Sequence, residues 1–224
     1  MLEMRRFMQE LLTSPTEWYS LINMFCARIS SRLAYGSDKS APFHVKNASS
    51  FIHQLGPSGP IMNKIPFLRH LPEWLVPAKR EVRERREIEA KAWTQLFHET
   101  KTRLQEGKLN SFTYVGASLK NQKATESSRG LLKDDMEAVY AVGMLCTVAI
   151  FTLHGPAVVF IMAMILHPEW QEKVRRELDE MVGDKFVELE DSPRLPTLRA
   201  TIRESIRWRS TVPLGKPISV PSKT

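Results

Sequence analysis

The chain has 224 residues, 42% of them hydrophobic, which suits one large folded domain and excludes a disordered chain. Lysine and arginine outnumber acidic residues by 32 to 25, and the resulting charge of +7 permits contact with anionic lipid, nucleic acid or an acidic redox partner while selecting none. Cys26 and Cys146 are the two cysteines, each inside an apolar helical pattern. Lacking the clustered spacing of a zinc or iron–sulfur site, they read as buried small hydrophobes in a reducing setting, and no metal ligand is expected.

The N-terminal MLEMRRFMQELL is a charged amphipathic segment without the apolar core of a signal peptide, so neither a leader nor an anchor is expected there. Leu2 to Leu12 reads as a short helix. Ser14-Pro15-Thr16-Glu17 then predicts a helix start, with Ser14 as cap, Pro15 in the first turn and Glu17 as the reciprocal acid. Trp18, Ile22, Phe25, Ile29 and Leu33 recur at helical steps and predict one buried face that ends near Tyr35-Gly36. Residues 36 to 77 read as mostly irregular, punctuated by Pro42, Pro60, Pro66, Pro72 and Pro77, with short helical turns around 51–55 and 61–71. Within them, IPFLRHLPEWLVP is apolar and aromatic between prolines, a composition suited to a loop packed on a surface or dipping toward lipid. Asn47-Ala48-Ser49 matches a glycosylation acceptor, a pattern common by chance that carries no weight.

Ala78 to about Gln105 is the most charged helix. Its Lys79, Arg80, Arg83, Arg85 and Arg86 are interleaved with Glu81, Glu84, Glu87 and Glu89, which favours a solvated face over nucleic-acid contact. Residues 107–130 are polar and read as a surface loop. Met136 to Leu166 follows, with no Asp, Glu, Lys or Arg from Ala138 onward. As a helix it is roughly 40 Å long, either the central strut of a helical protein or a membrane span. Asp134 and Glu137 mark its start, His167-Pro168 its end, and Pro156 should bend it next to Gly155. Pro168 to Val182 is amphipathic and stopped by Gly183; a polar linker with Pro193 and Pro196 leads to a last helix from about Leu198 to Trp208. Neither an internal repeat nor a glycine-rich phosphate loop is visible, and the predicted class is mainly α.

The order of long apolar helix, HPEWQEKVRRELDEMVG and DSPRLPTLRATIRESIRWRSTVPLGKP resembles the cytochrome P-450 haem-thiolate monooxygenases, particularly their fungal microsomal branch. RRFMQELLTSPTEWYSLINMFCARISSRLAYG and IPFLRHLPEWLVP extend the resemblance over nearly the whole chain in pieces. By that resemblance Glu204 and Arg207 match the Glu-x-x-Arg pair of a structural ion network. Pro213, Leu214 and Gly215 resemble the turn after it, where the chain approaches substrate; a plain proline-glycine turn is the alternative. The long helix is similar to the family's distal helix above the haem, whose stretch usually reads Ala/Gly-Gly-x-Asp/Glu-Thr-Thr. An ungapped match between Gly143 and MAMILHPE retains Thr152 as the catalytic threonine, puts Phe151 where the acid belongs, and leaves His154 flanking as a substrate-side group or a core histidine. Thr152 can equally be a local helix-bonded hydroxyl.

The resemblance implies a partial cytochrome P-450-like helical fold, residues 1–224 being a fragment of a single domain, with the sheet and haem-ligand loop largely missing. In the family the axial ligand is a cysteine thiolate on a loop downstream of Glu-x-x-Arg, and neither Cys26 nor Cys146 matches it. Haem is the expected cofactor, a lipophilic small molecule the substrate, a flavoprotein reductase the partner, and the endoplasmic reticulum membrane surface the location, or the cytoplasm for a complete chain. The expected activity is a monooxygenase of fungal secondary metabolism, inactive as this chain; the alternatives are a non-enzymatic remnant and a small single-span membrane protein.

Overall fold

The computed structural model describes residues 2–55, 59–61, 65–109, 112–124 and 134–210, and among these all regular structure is helical. In chain order the helices are α1 (Leu2–Thr13), α2 (Trp18–Tyr35), α3 (Ala41–Leu55), α4 (Ala78–Gln105), α5 (Tyr114–Ala124), α6 (Asp135–Leu166), α7 (Pro168–Met181) and α8 (Pro196–Trp208). They fall into two compact units, Met1–Phe151 and Thr152–Thr224.

In the first unit α2 is the hub, packed against α1, α3, α4 and α5. Its buried face differs from the expected stripe. Leu33 is 41% exposed, whereas Ala27, Ser30, Ser31 and Ala34 are buried, because these small side chains are what let neighbouring helices approach closely. Ser14 does not cap α2 either. The chain first makes a 3-10 turn over Pro15–Glu17, closed by the Glu17 amide on the Ser14 carbonyl, and the helix starts at Trp18. α2 stops at Gly36, whose φ of 69° is left-handed and whose amide donates to the Arg32 carbonyl at 2.8 Å. α1 is fastened to α2 by ion pairs: Glu10 accepts from Arg28 at 2.7 and 2.9 Å, and Glu3 accepts from Arg32 at 2.7 Å. The Arg28 guanidinium holds the Glu10 carboxyl below its ordinary range.

Two segments read as irregular are helices. α3 occupies residues 41–55 with Pro42 in its first turn, where a missing amide hydrogen costs nothing. Its polar run from His44 to Ser50 hid it, since Asn and Ser have weak helix propensity and are stabilised here by packing. α5 lies inside the expected polar loop and is held by Val115, which is 0% exposed. The first core combines Ala34 and Tyr35 of α2, Trp93 and Phe97 of α4, Val115, and Ala138, Val139, Val142 and Cys146 of α6.

α6 begins as the sequence indicates: Asp134 Oδ1 accepts the Glu137 amide at 2.8 Å. The helix runs unbroken through Pro156 to Leu166, and α7 starts at Pro168. In the second unit α7 and α8 pack together, and Val174, Leu195, Thr201 and Ser205 are buried there. Glu177 of α7 caps α8, its carboxylate accepting the Thr197 and Leu198 amides at 2.8 and 2.9 Å. Burial alone would raise the Glu177 carboxyl, but these amides overrule it and the net shift is downward.

Candidate functional site

The first half of α6 is set in register by four contacts. Gly143 lies under the Trp93 indole, so close that a Cβ there would sit 2.3 Å from a ring carbon. Tyr140 meets the same indole edge-on, with centroids 5.9 Å apart. One turn on, Thr147 donates its hydroxyl hydrogen to the Gly143 carbonyl at 2.9 Å and accepts from the Asn47 amide of α3 at 3.2 Å. At the start of the helix, Lys101 of α4 pairs with Asp135 at 2.6 Å.

Phe151 is half-buried and stacks on Phe51 of α3, with centroids 6.2 Å apart and planes 26° from parallel; the Arg85 guanidinium lies 5.7 Å from the same Phe51 ring. Between α3 and α4 is a cleft of about 570 Å³ whose walls include Phe43, Asn47, Ser50, Arg85 and Ile88. Asn47, Phe51 and Trp93 therefore shape this region although sequence patterns did not single them out for it. Asn47 is buried at 6% exposure, which removes it as a glycosylation acceptor. A period-3.6 reading of 41–55 with Phe43, Asn47 and Phe51 at i, i+4 and i+8 carries the signal that was missed.

Thr152 is exposed and His154 is buried, and two helical steps put them about 200° apart around the axis. In the second unit Glu204 and Arg207 form an exposed pair on α8, Arg207 Nε to Glu204 Oε2 at 2.8 Å. The Arg207 hydrogen bonds hold the Glu204 carboxyl below its usual range. Glu204 also borders a groove of about 350 Å³ walled by Met164, His167, Trp170, Thr201 and Trp208. Pro213, Leu214 and Gly215 lie outside the described residues.

Neither cysteine fits the axial position at a haem. The axial ligand of this family is a cysteine thiolate, whose side chain has to face the iron rather than be enclosed among packed helices. Cys146 is 0% exposed and Cys26 4%, and burial pushes their thiols up to about 12 and about 11, which keeps both protonated. Among the described residues no group of three or more His, Cys, Asp or Glu is arranged to hold a metal ion.

Comparison with known proteins gives a consistent set of relatives. Cytochrome P450 monooxygenase COX1 of Coprinopsis cinerea is 26% identical over 222 residues, covering 95% of this chain and 43% of that protein. Cytochrome P450 monooxygenase fogE of Aspergillus ruber is 28% identical over 223 residues, and virE of Hypocrea virens 29% over 226, each aligned over 40% of its own length. The chain thus spans about two fifths of the length of the curated relatives it matches. A solved zebra fish cytochrome P450, crystallised with progesterone, superposes with a TM-score of 0.72 at 19% identity over 91% of this chain and 47% of its own, a likeness of fold. With the Cytochrome P450 family model matched along residues 5–223, this chain belongs to the cytochrome P450 family.

Proposed function

We propose that this chain forms the substrate-facing helical part of a fungal monooxygenase of secondary metabolism that oxidises a lipophilic small molecule, and that the 224 residues alone do not turn over. The observation that carries the reading is the surface of α6. Trp93 against Gly143 and Asn47 on Thr147 fix the helix in register, and beside these contacts Met144 and Leu145 remain 38% and 49% exposed. A rigid apolar wall of this kind binds a lipophilic molecule by removing both surfaces from water, at about 25 cal/mol per Å².

In this reading Thr152 is the catalytic hydroxyl, Phe151 and His154 are substrate-side groups with Pro213 and Leu214, and Glu204 with Arg207 belongs to a structural ion network. A flavoprotein reductase supplies the electrons. Family membership implies a haem, but the thiolate that such a haem requires has no source in Cys26 or Cys146, so no reaction step is assigned to this chain. Exposed Phe67, Trp74 and Leu75, on the turns over Pro66–Arg69 and Glu73–Leu75, suit a membrane surface such as that of the endoplasmic reticulum.

α6 is long and apolar enough to cross a membrane, and its most apolar window is only 22% buried. The Lys101–Asp135 and Asn47–Thr147 contacts tie its first half to water-soluble helices, and they favour a packed helix over a span. Release of the expressed chain from membranes by alkaline carbonate is the expected result; retention supports the span.

A chimaera tests the main reading, with residues 5–223 replacing the matching stretch of the Coprinopsis cinerea relative. Haem incorporation with a thiolate-type carbon monoxide spectrum and reductase-dependent oxygenation of a lipophilic probe is expected. A folded chimaera that binds haem and oxygenates no probe accepted by the parent contradicts it.

A further inference from the structure

His44 is the least satisfied polar side chain in the first unit. It sits one turn into α3, 0% exposed, with neither imidazole nitrogen hydrogen-bonded. Its ring lies nearly flat against Tyr35 of α2, centroids 5.7 Å apart at 14°, and edge-on to Phe43 at 5.2 Å. The Tyr35 hydroxyl is also buried without a partner. One turn further along α3, Asn47 makes the hydrogen bond to Thr147 of α6 and helps wall the cleft against α4.

The charged and titratable groups around this cluster offer a protonated imidazole no counter-charge. From α2 comes the Tyr35 phenol and from α6 the Cys146 thiol, which acts on Tyr35; burial raises both, so both are neutral. α4 faces α3 with Arg85 and Glu89, but the Glu89 carboxylate is paired with Arg85 at 2.5 Å and Arg85 lies over Phe51, two turns from His44. Asp38, before α3, is engaged by Arg6 and Arg32. A charge on His44 therefore has to be hydrated, and water reaches it only when α3 leaves α2.

We propose that His44 is an acid-sensitive latch, whose protonation releases the first two turns of α3 from α2 and α6 and so opens the cleft between α3 and α4. Burial depresses the imidazole from 6.5 to about 4 in the closed state, with desolvation as the cause. The sign follows. Above pH 6.5 the imidazole is neutral whether α3 is docked or free, and the latch is closed. As pH falls from 6.5 toward 4 only the released form takes the proton, so the closed-to-open ratio falls by about two orders of magnitude across that window.

Amide hydrogen exchange of the full chain, corrected for intrinsic rates, reads this directly. Protection of residues 41–55 should collapse between pH 6.5 and 4.5 and should persist in His44→Phe and His44→Gln. The same collapse in both variants, or none in the parent chain, overturns the proposal. Exchange of the imidazole C2 hydrogens, followed by mass spectrometry in the unsubstituted chain, gives a reading that needs no variant. His44 should titrate below the ordinary imidazole value of 6.5, and titration at that value also overturns the latch.

Discussion

Replacing Gly143 by alanine should destabilise the protein, and the same replacement should stabilise it once Trp93 is gone. A new Cβ would meet three indole atoms at 2.3, 2.5 and 2.7 Å, against an ordinary carbon contact of about 3.5–4.0 Å, so the ring must retreat by more than about 1 Å. Trp93 is 2% exposed and held edge-on by Tyr140, which leaves it nowhere to go without moving α4. Overpacking of this kind costs about 1–3 kcal/mol, and complete loss of a tryptophan's packing about 3–5. Against it stands a gain of about 0.5–1 kcal/mol from replacing a mid-helix glycine. The net expectation for Gly143→Ala is a loss of up to about 2.5 kcal/mol. In a Trp93→Ala background the clash is absent and the helix gain alone remains. Urea unfolding followed by far-ultraviolet circular dichroism measures all four proteins. A stabilising Gly143→Ala in the unsubstituted chain, or equal shifts in both backgrounds, refutes the close approach of α4 and α6.

Other expectations are more local. Glu10→Gln leaves the buried Arg28 with weaker partners and should cost about 1.5–3 kcal/mol at neutral pH. Because the Glu10 carboxyl is held below 4.5 in the fold, its stabilisation is present above that value and lost as pH falls through the folded pKa; the variant should therefore show a flatter acid limb in urea unfolding. Glu177→Ala removes the acceptor for two α8 amides and should lower the stability of the second unit by about 1 kcal/mol, read as faster amide exchange at the start of α8 while α2 is unchanged. Glu204→Ala, by contrast, breaks a pair that is 60% and 73% exposed, and the urea midpoint should not move; a shift as large as that of Gly143→Ala contradicts the exposed geometry.

What the sequence made legible was what local chemistry decides. Asp134 as the start of α6, Pro168 as the start of α7 and Gly36 as the left-handed stop of α2 each follow from one residue's backbone preference or hydrogen bonding. Elements held by tertiary contacts were hidden. α3 has polar residues on much of its length and is stabilised by Asn47 on Thr147 and by Phe51 on Phe151, contacts made by residues 100 positions apart. α2 illustrates a partial failure: of the large apolar residues at helical spacing Ile22 is buried and Leu33 is not, and the helix packs also through Ala27, Ser31 and Ala34. At the candidate site the order of motifs pointed to Thr152, Glu204 and Arg207 by resemblance alone, and no pattern in one sequence could announce that Trp93 closes over Gly143.

The central claim is that neither cysteine of this chain is placed to ligate a haem, because both are buried among helices. The carbon monoxide difference spectrum of the purified full chain, supplied with haem and reduced with dithionite, addresses it most directly. No Soret band of the thiolate-ligated type should appear. Such a band, abolished by Cys146→Ala or Cys26→Ala, would contradict the account.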